Sequence, residues 1–193
     1  ILFFTAALGL QRKALQIFTI IPLFLCLIAP AFLSITNTVY SAESSYNFVH
    51  VYENRGNRFL QIDDPRSVHS VKMAEGNITH NYWDYAAAIP FSIPTQNTLI
   101  LGLAGGNISN LLHQYFPAMQ ITGIEIDPLL IDIGKQFFGT ASSNTAIIAD
   151  DARSYLTHNT QKYDFIVLDA YHNLNLPIHL STTEFFALVG EHL

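Results

Sequence analysis

Charged side chains are scarce in this 193-residue chain, where they make up 12% of the residues and leave a formal net charge of −6. Lys and Arg form no cluster along the sequence, which argues against a nucleic-acid partner. The single cysteine, Cys26, excludes an intrachain disulfide framework and a cysteine metal site. The histidines show no ligand spacing such as HExxH, so the sequence predicts no metal site.

Half of the residues are hydrophobic, and the excess lies at the N-terminus. Residues 14–33 form an almost unbroken apolar run without a charge, long enough to cross a bilayer as a helix. Residues 1–10 are apolar but too short to span alone, so we interpret 1–33 as the transmembrane segment or segments of a polytopic protein. A signal peptide is the alternative. We therefore expect an integral membrane protein of a bacterial inner membrane, with the side that the following domain faces left open.

The rest of the chain divides into three parts. Residues 34–45 are rich in Ser and Thr and are interpreted as a linker. Residues 46–95 hold short β-like runs separated by turn-forming segments, which predicts a small β-hairpin layer. Residues 96–193 alternate between strands and helices, which is typical of a parallel sheet with right-handed crossovers. We expect strands at 98–103, 120–125, 145–149 and 163–169, and helices at 108–116, 128–138, 152–157 and 182–193.

The glycine segment after the first of these strands carries the main functional signal. Gly102, Gly105 and Gly106 lie in the turn, and the next strand ends at Glu125. Glycines let the backbone approach a ligand, and a carboxylate at the second strand end can accept hydrogen bonds from a ribose diol. Simple turn glycines and a solvated strand end are the alternatives. Because the G-x-x-G-G spacing fits the dinucleotide fingerprint poorly, we favour an adenosyl ligand such as S-adenosylmethionine over NAD.

Further acids follow the other strand ends. Asp127, directly before a proline, is interpreted as a helix N-cap rather than a ligand contact. Asp150 and Asp151 follow the third strand at the same edge of the sheet. One of the pair can accept a hydrogen bond from an adenine amino group while the other caps the next helix. We favour Asp151 for adenine.

Three residues are candidates for the chemical step. Asp169 ends the fourth strand, where its carboxylate can bind an amine or orient a base; a simple capping acid is the alternative. His172 lies three residues later and can act as a general base near neutral pH, or be a solvated loop residue. Tyr82 belongs to the aromatic segment NYWDYAAAIP, which can form a wall of a pocket or pack between the two parts of the domain.

The order of these segments resembles the spermidine synthase (polyamine aminopropyltransferase) family in its membrane-fused form. The similarity covers residues 43–193 and rests on six segments: ESSYNFVHVYENRGNRFLQID, NYWDYAAAIP, LGLAGGNISNLL, GIEIDPLLIDIGKQFF, DDARSYL and KYDFIVLDAYHNLNLPIHLSTTEFF. The resemblance implies a Rossmann-like, S-adenosylmethionine-dependent methyltransferase fold. In this chain we expect that fold to be C-terminally incomplete, preceded by the β-hairpin layer and an N-terminal transmembrane helix.

The resemblance also implies the reaction. It places an adenosyl group at Gly102, Glu125 and Asp151, and a small-molecule amine near Tyr82 and Asp169. The donor is then S-adenosylmethionine or its decarboxylated form, without a metal, and a homo-oligomer stays open. Three positions differ from the family: Ala104 and His172 each stand where the family has an aspartate, and Asn47 stands where it has a glutamine. For this reason a methyltransferase and a non-catalytic nucleoside-binding sensor or scaffold are kept as alternatives to aminopropyl transfer.

Overall fold

The computed structural model describes residues 37–140, 144–171 and 175–193. The apolar segment 1–33 and His172 therefore lie outside the described residues. The described part falls within one compact unit, Asn37–Leu193. Across these ranges, no helix has both the length and the apolar character that a membrane span needs.

The first part of this unit is a four-stranded antiparallel sheet. Its strands pair in chain order and are β1 (Asn37–Glu43), β2 (Phe48–Asn54), β3 (Asn57–Ile62) and β4 (Val68–Lys72). Arg55 and Gly56 join β2 to β3, and both have positive φ angles, of 51° and 79°. A two-residue loop with this geometry matches the right-handed twist of the flanking strands, which fixes the hairpin register.

The interpretation of residues 34–45 as a linker is wrong for most of that segment. Strand β1 pairs with β2 from Asn37↔Glu53 to Glu43↔Phe48. Most β1 side chains are exposed, so the strand has little of the hydrophobic alternation that would have marked it in the sequence. Its place in the sheet comes from backbone pairing with the strand that follows.

The second part is a four-stranded parallel sheet in the order β7–β6–β5–β8, which confirms the predicted α/β architecture. Its strands are β5 (Asn97–Leu101), β6 (Gln120–Glu125), β7 (Thr145–Ala149) and β8 (Phe165–Leu168). The helices are α1 (Tyr82–Ala88), α2 (Asn107–Tyr115), α3 (Pro128–Ile133), α4 (Ala152–His158) and α5 (Thr183–Gly190). Short 3₁₀ turns cover Ile89–Phe91 and Ile178–Leu180.

Strand β5 is central because apolar clusters cover both of its faces. Ile100 packs with Trp83 of α1 and Leu111 of α2 on one face. Leu99 belongs to the cluster on the other face, which includes Phe185 of α5. Alternate side chains of a strand point to opposite faces, so an unbroken apolar run is what a strand covered on both sides requires.

Helix α3 connects the parallel sheet to the antiparallel one. Asp127 is fully buried and caps the helix by accepting a hydrogen bond from the Leu129 amide, as predicted. The predicted single helix 128–138 changes at Gly134–Phe138 into a π-helical turn. The wider turn brings Phe138 into a third apolar cluster with β2 and β3, so the two sheets share a core.

Candidate active site

A cavity of about 330 Å³ opens at the carboxyl ends of the parallel strands. Ligands of open α/β sheets collect at this edge. The antiparallel sheet contributes another wall, through Tyr46 and Asn47 before β2 and His69 on β4. The sequence-predicted residues that line the cavity are Gly102, Glu125, Asp150, Asp151 and Asp169.

Gly102 brings the loop after β5 against the end of β8. Its φ angle is +90°, and a Cβ at this position would lie 2.5 Å from the backbone oxygen of Asp169. Glycine tolerates both the dihedral angle and the close approach, whereas a residue with a side chain meets strain and a clash. The short distance between the loop and the acidic strand end therefore depends on Gly102.

Each backbone N–H from Gly102 to Gly106 already has a protein acceptor. The first and last of these amides donate to backbone carbonyls, at N···O distances of 2.9 and 2.7 Å. The second and third donate to the Glu125 carboxylate, and the fourth donates to the Ser70 hydroxyl. A phosphate-binding loop instead directs free amides at its ligand. This arrangement disfavours a dinucleotide, as the glycine spacing does.

Glu125 joins the glycine loop to the next helix. Its Oε2 accepts hydrogen bonds from the Leu103 and Ala104 amides at 3.1 and 2.8 Å, and its Oε1 accepts one from the Asp127 amide at 3.1 Å. Burial raises the pKa of Glu125, and the three amide donors oppose that shift. A carboxylate oxygen accepts up to two hydrogen bonds, so Oε1 keeps capacity for a ligand hydroxyl.

Asp150 and Asp151 have different surroundings. Asp151 caps α4, since its Oδ1 accepts a hydrogen bond from the Ser154 amide at 2.8 Å. Its Oδ2 lies 2.9 Å from Nε2 of His179. Asp150 also lines the cavity, and one of its oxygens accepts the Asp151 amide. Which of the two acids would contact adenine stays a prediction: each Asp151 oxygen has one described partner, whereas Asp150 retains an oxygen without one.

Tyr82 and Asp169 meet although 87 residues separate them in the chain. The Tyr82 hydroxyl, at the start of α1, lies 2.9 and 3.1 Å from the two Asp169 carboxylate oxygens. Burial raises the pKa of Asp169 to about 6, while hydrogen bonds from Tyr82 and Trp83 act in the opposite direction. Burial and the nearby carboxylate raise the pKa of Tyr82. A carboxyl with a pKa near 6 can exchange protons near neutral pH.

Gly105 and Gly106 lie behind the cavity wall. A Cβ on Gly105 would meet Ser70, and one on Gly106 would meet Thr140. Both glycines therefore allow close packing beneath the loop, and of the three predicted glycines it is Gly102 that faces the cavity.

The structure adds cavity residues that sequence reasoning missed. These are His69 on β4 and His179 in the second 3₁₀ turn; Asn47, noted above only as a difference from the family, lines the cavity as well. Asn47 also donates to the buried Asp127 carboxylate at 2.8 Å, across 80 residues of sequence. No local motif marks these residues, because their role depends on contacts between distant segments. Among the described residues, no group of three or more His, Cys, Asp or Glu side chains could hold a metal ion.

Comparison with known proteins supports this reading of the fold and the sequence. The spermine/spermidine synthase domain family matches residues 82–193. The chain is 36% identical over 159 residues to a probable polyamine aminopropyl transferase of Bifidobacterium longum, covering 82% of this chain and 35% of that protein. It is 29% identical over 169 residues to a polyamine aminopropyltransferase of Vibrio vulnificus, covering 82% of this chain and 56% of that protein.

Solved structures show the same fold at lower sequence identity. A spermidine synthase in complex with the transition state analogue AdoDATO superposes with a TM-score of 0.68 and 19% identity, over 81% of this chain and 55% of that one. A probable spermidine synthase from Corynebacterium glutamicum gives a TM-score of 0.69 and 18% identity, over 80% and 60%. At these identities the structural likeness establishes the Rossmann-like, methyltransferase-type α/β fold.

The sequence matches establish the family. The chain spans about a third of one curated relative described above and just over half of the other. The family match covers more than half of this chain, and the predicted resemblance to the spermidine synthase family is confirmed, while its membrane-fused form stays a prediction. The chain belongs to the spermine/spermidine synthase domain family.

Proposed function

We propose that this chain forms the donor-binding and catalytic part of an aminopropyltransferase, which moves an aminopropyl group from decarboxylated S-adenosylmethionine to a small amine. One observation carries the proposal: four carboxylates surround a single cavity, and one of them, Asp169, has a raised pKa and a phenol partner. The acids at the cavity are Glu125, Asp150, Asp151 and Asp169.

The charge of the cavity favours a cationic donor. Among the described residues that line it there is no Lys or Arg, so an α-carboxylate on the donor would have no strong cationic partner. A donor that carries an ammonium and a sulfonium is attracted by the acids instead. In this arrangement Glu125 accepts from the ribose hydroxyls, and Asp150 accepts from the adenine amino group.

The chemical step requires a neutral amine nucleophile. We assign its deprotonation to Asp169, whose carboxylate form predominates above about pH 6. The amine nitrogen then attacks the methylene carbon next to the sulfonium, the new C–N bond forms, and the C–S bond breaks. Methylthioadenosine leaves with the bonding electron pair on sulfur, and Asp169 retains the proton. His172, outside the described residues, is the second candidate for the base.

Methyl transfer is the alternative that a specific observation favours. Ala104 lines the cavity beside Glu125 and brings no carboxylate to the loop, so the loop itself provides no partner for the donor's ammonium. A charge-assisted partner of that kind contributes about 1.5–3 kcal/mol. Both donors carry that ammonium, but a loop aspartate would also repel the α-carboxylate of ordinary S-adenosylmethionine, so its absence lets that donor compete better for the same pocket.

Product analysis by mass spectrometry distinguishes the reactions. We would incubate the full-length protein with an amine and each donor in turn. Aminopropyl transfer yields methylthioadenosine, whereas methyl transfer yields S-adenosylhomocysteine. The catalytically impaired control is Asp169→Asn. Binding of methylthioadenosine without any product would instead support a sensor or scaffold.

We also propose that the apolar run 14–33 anchors the domain in a membrane. The support is its length without a charged residue. Fractionation of cells that express the full-length protein tests this: the protein should stay with the membranes after a carbonate wash. Its release by the wash would contradict an integral anchor.

A further inference from the structure

The backbone N–H and the carbonyl of Gly105 are each hydrogen-bonded to a buried hydroxyl. Its N–H donates to Ser70 Oγ at 2.9 Å, and its carbonyl accepts from Thr140 Oγ1 at 2.6 Å. Ser70 lies on β4 and is 1% exposed, while Thr140 follows the π-helical turn and is 2% exposed. The middle of the glycine loop is therefore fastened to two elements outside the β5–α2 segment that contains it.

A second contact attaches the same loop to β4. Asn107, the first residue of α2, donates from Nδ2 to the Val71 carbonyl at 2.7 Å and accepts from the Val71 amide at 2.9 Å. The side-chain amide thus satisfies both backbone groups of one β4 residue, as a neighbouring strand would do. Asn107 is only 8% exposed, so water does not readily replace these bonds.

The space around these bonds is closed. A Cβ on Gly105 would lie 2.6 Å from the Ser70 Cβ and 3.1 Å from the Phe138 ring. The loop can therefore move toward the antiparallel sheet only if the core shifts. It can move away from that sheet only if the Gly105 amide loses its acceptor.

We propose that Ser70 and Asn107 are positioning residues through which the antiparallel sheet sets the shape of the nucleoside pocket. The inference rests on the proposed function. Its physical basis is the chain of contacts from Ser70 to Gly105 and from the adjoining Ala104 amide to Glu125, the carboxylate assigned to the ribose. We call the contacts that Ser70 and Asn107 make between β4 and the glycine loop the clamp. When the clamp is lost, the Gly105 amide turns toward another acceptor. The amides that orient Glu125 then shift with it.

The test measures binding of methylthioadenosine to the full-length protein by titration calorimetry. We compare Ser70→Ala and Asn107→Ala with Thr98→Val as the matched control. Thr98 is a fully buried β5 residue whose hydroxyl contacts Met119 and not the loop. We expect each clamp variant to bind about tenfold more weakly, the effect of roughly one buried hydrogen bond. The control should bind as the wild type does.

Kinetics separate positioning from a general loss of stability. A clamp variant should raise the KM for the donor about tenfold and leave the KM for the amine unchanged. Asn107→Asp keeps the acceptor for the Val71 amide but turns a second carboxylate oxygen toward the Val71 carbonyl, so it should weaken donor binding at least as much as Asn107→Ala. If Ser70→Ala does not fold, the Asn107 variants still test the proposed positioning role.

The outcomes keep the two proposals apart. If the wild type does not bind methylthioadenosine, the proposed function fails and the clamp fails with it. If the wild type binds and the folded clamp variants bind equally well, the clamp alone is overturned. Equal increases in both KM values would also overturn it, because they show that the change is not confined to the nucleoside site, whereas a loss of folded protein lowers the apparent kcat and leaves both KM values unchanged.

Discussion

Glu125 and Asp169 are carboxylates that line one cavity, and their partners differ. Glu125 is 6% exposed and accepts hydrogen bonds from three backbone amides. Asp169 accepts from the Tyr82 hydroxyl, and its pKa is raised to about 6. Backbone amides are fixed donors, whereas a phenol is a side chain that can rotate and exchange a proton.

Under the proposed function, Glu125 is the binding carboxylate and Asp169 the reacting one. Glu125 is held by two amides of the glycine loop and by the Asp127 amide, so its oxygens are already oriented for a ligand hydroxyl. Burial raises the pKa of both carboxyls, but in Asp169 the shift is opposed by side-chain donors and in Glu125 by backbone amides. The same functional group is thus adapted to two roles by the number and kind of its donors.

The largest effect should come from Asp169→Asn. Removal of the base should lower kcat by about 10²–10⁴-fold. The folded-state pKa is raised from 3.8 to about 6, so the wild type loses stability as pH rises through this window, and the variant does not. Thermal unfolding at pH 7.5 should therefore show a more stable variant, by about 3 kcal/mol. If the variant is instead less stable and fully active, Asp169 is not the base, and its role does not differ from that of Glu125.

Glu125→Gln should produce the next largest effect. The amide group keeps the size but places an NH₂ among backbone donors, so at least one buried hydrogen bond is lost. We expect the free energy of unfolding to fall by about 2–3 kcal/mol and methylthioadenosine to bind more than about tenfold more weakly. Denaturant unfolding and calorimetry measure the two quantities. Unchanged binding would show that Glu125 does not contact the nucleoside.

Tyr82→Phe tests whether Asp169 is the base and whether the Tyr82 hydroxyl sets its pKa. Loss of the phenol should lower kcat about tenfold, the effect of roughly one hydrogen bond to a charged group. The Tyr82 hydrogen bond lowers the pKa of Asp169, so its removal should raise that pKa further. In the wild type kcat should fall as the pH drops through about 6. In the variant this fall should begin at a higher pH, and an unchanged profile would exclude Asp169 as the titrating base.

The smallest effects should distinguish the role of Asp150 from that of Asp151. Asp150→Ala should weaken methylthioadenosine binding several-fold with little change in stability, because it removes a cavity acceptor. Asp151→Ala should lower the free energy of unfolding by about 1 kcal/mol, because it removes the α4 cap. Calorimetry and denaturant unfolding on both variants test this. The reverse pattern would favour Asp151 as the adenine contact.

Sequence reasoning identified the parts of the fold whose signal is local. The apolar run of β5, the turn at Gly102 and the proline after Asp127 each depend on neighbouring residues, and these elements appear close to their predicted positions. The strand ends likewise located Glu125 and Asp169 at one edge of the sheet.

The remaining features depend on contacts between distant segments. Strand β1 has mostly exposed side chains and is defined by its pairing with β2. The roles of Asp150 and Asp151 depend on which oxygen meets His179, and no spacing rule specifies that contact. Hydropathy and motif spacing describe residues that are close in the sequence, so they do not predict contacts between distant segments.

The bonds of Asp127 determine which piece of this protein could be produced on its own. The buried carboxylate caps α3 and also accepts from the Ser44 hydroxyl at 2.6 Å and from Asn47 at 2.8 Å. An expression fragment begun at residue 82, where the family match starts, or at residue 96 would leave that charge without two of its partners in an apolar interior. Trimming should therefore stop before Asn37, so that the antiparallel sheet is retained with the pocket it helps to enclose.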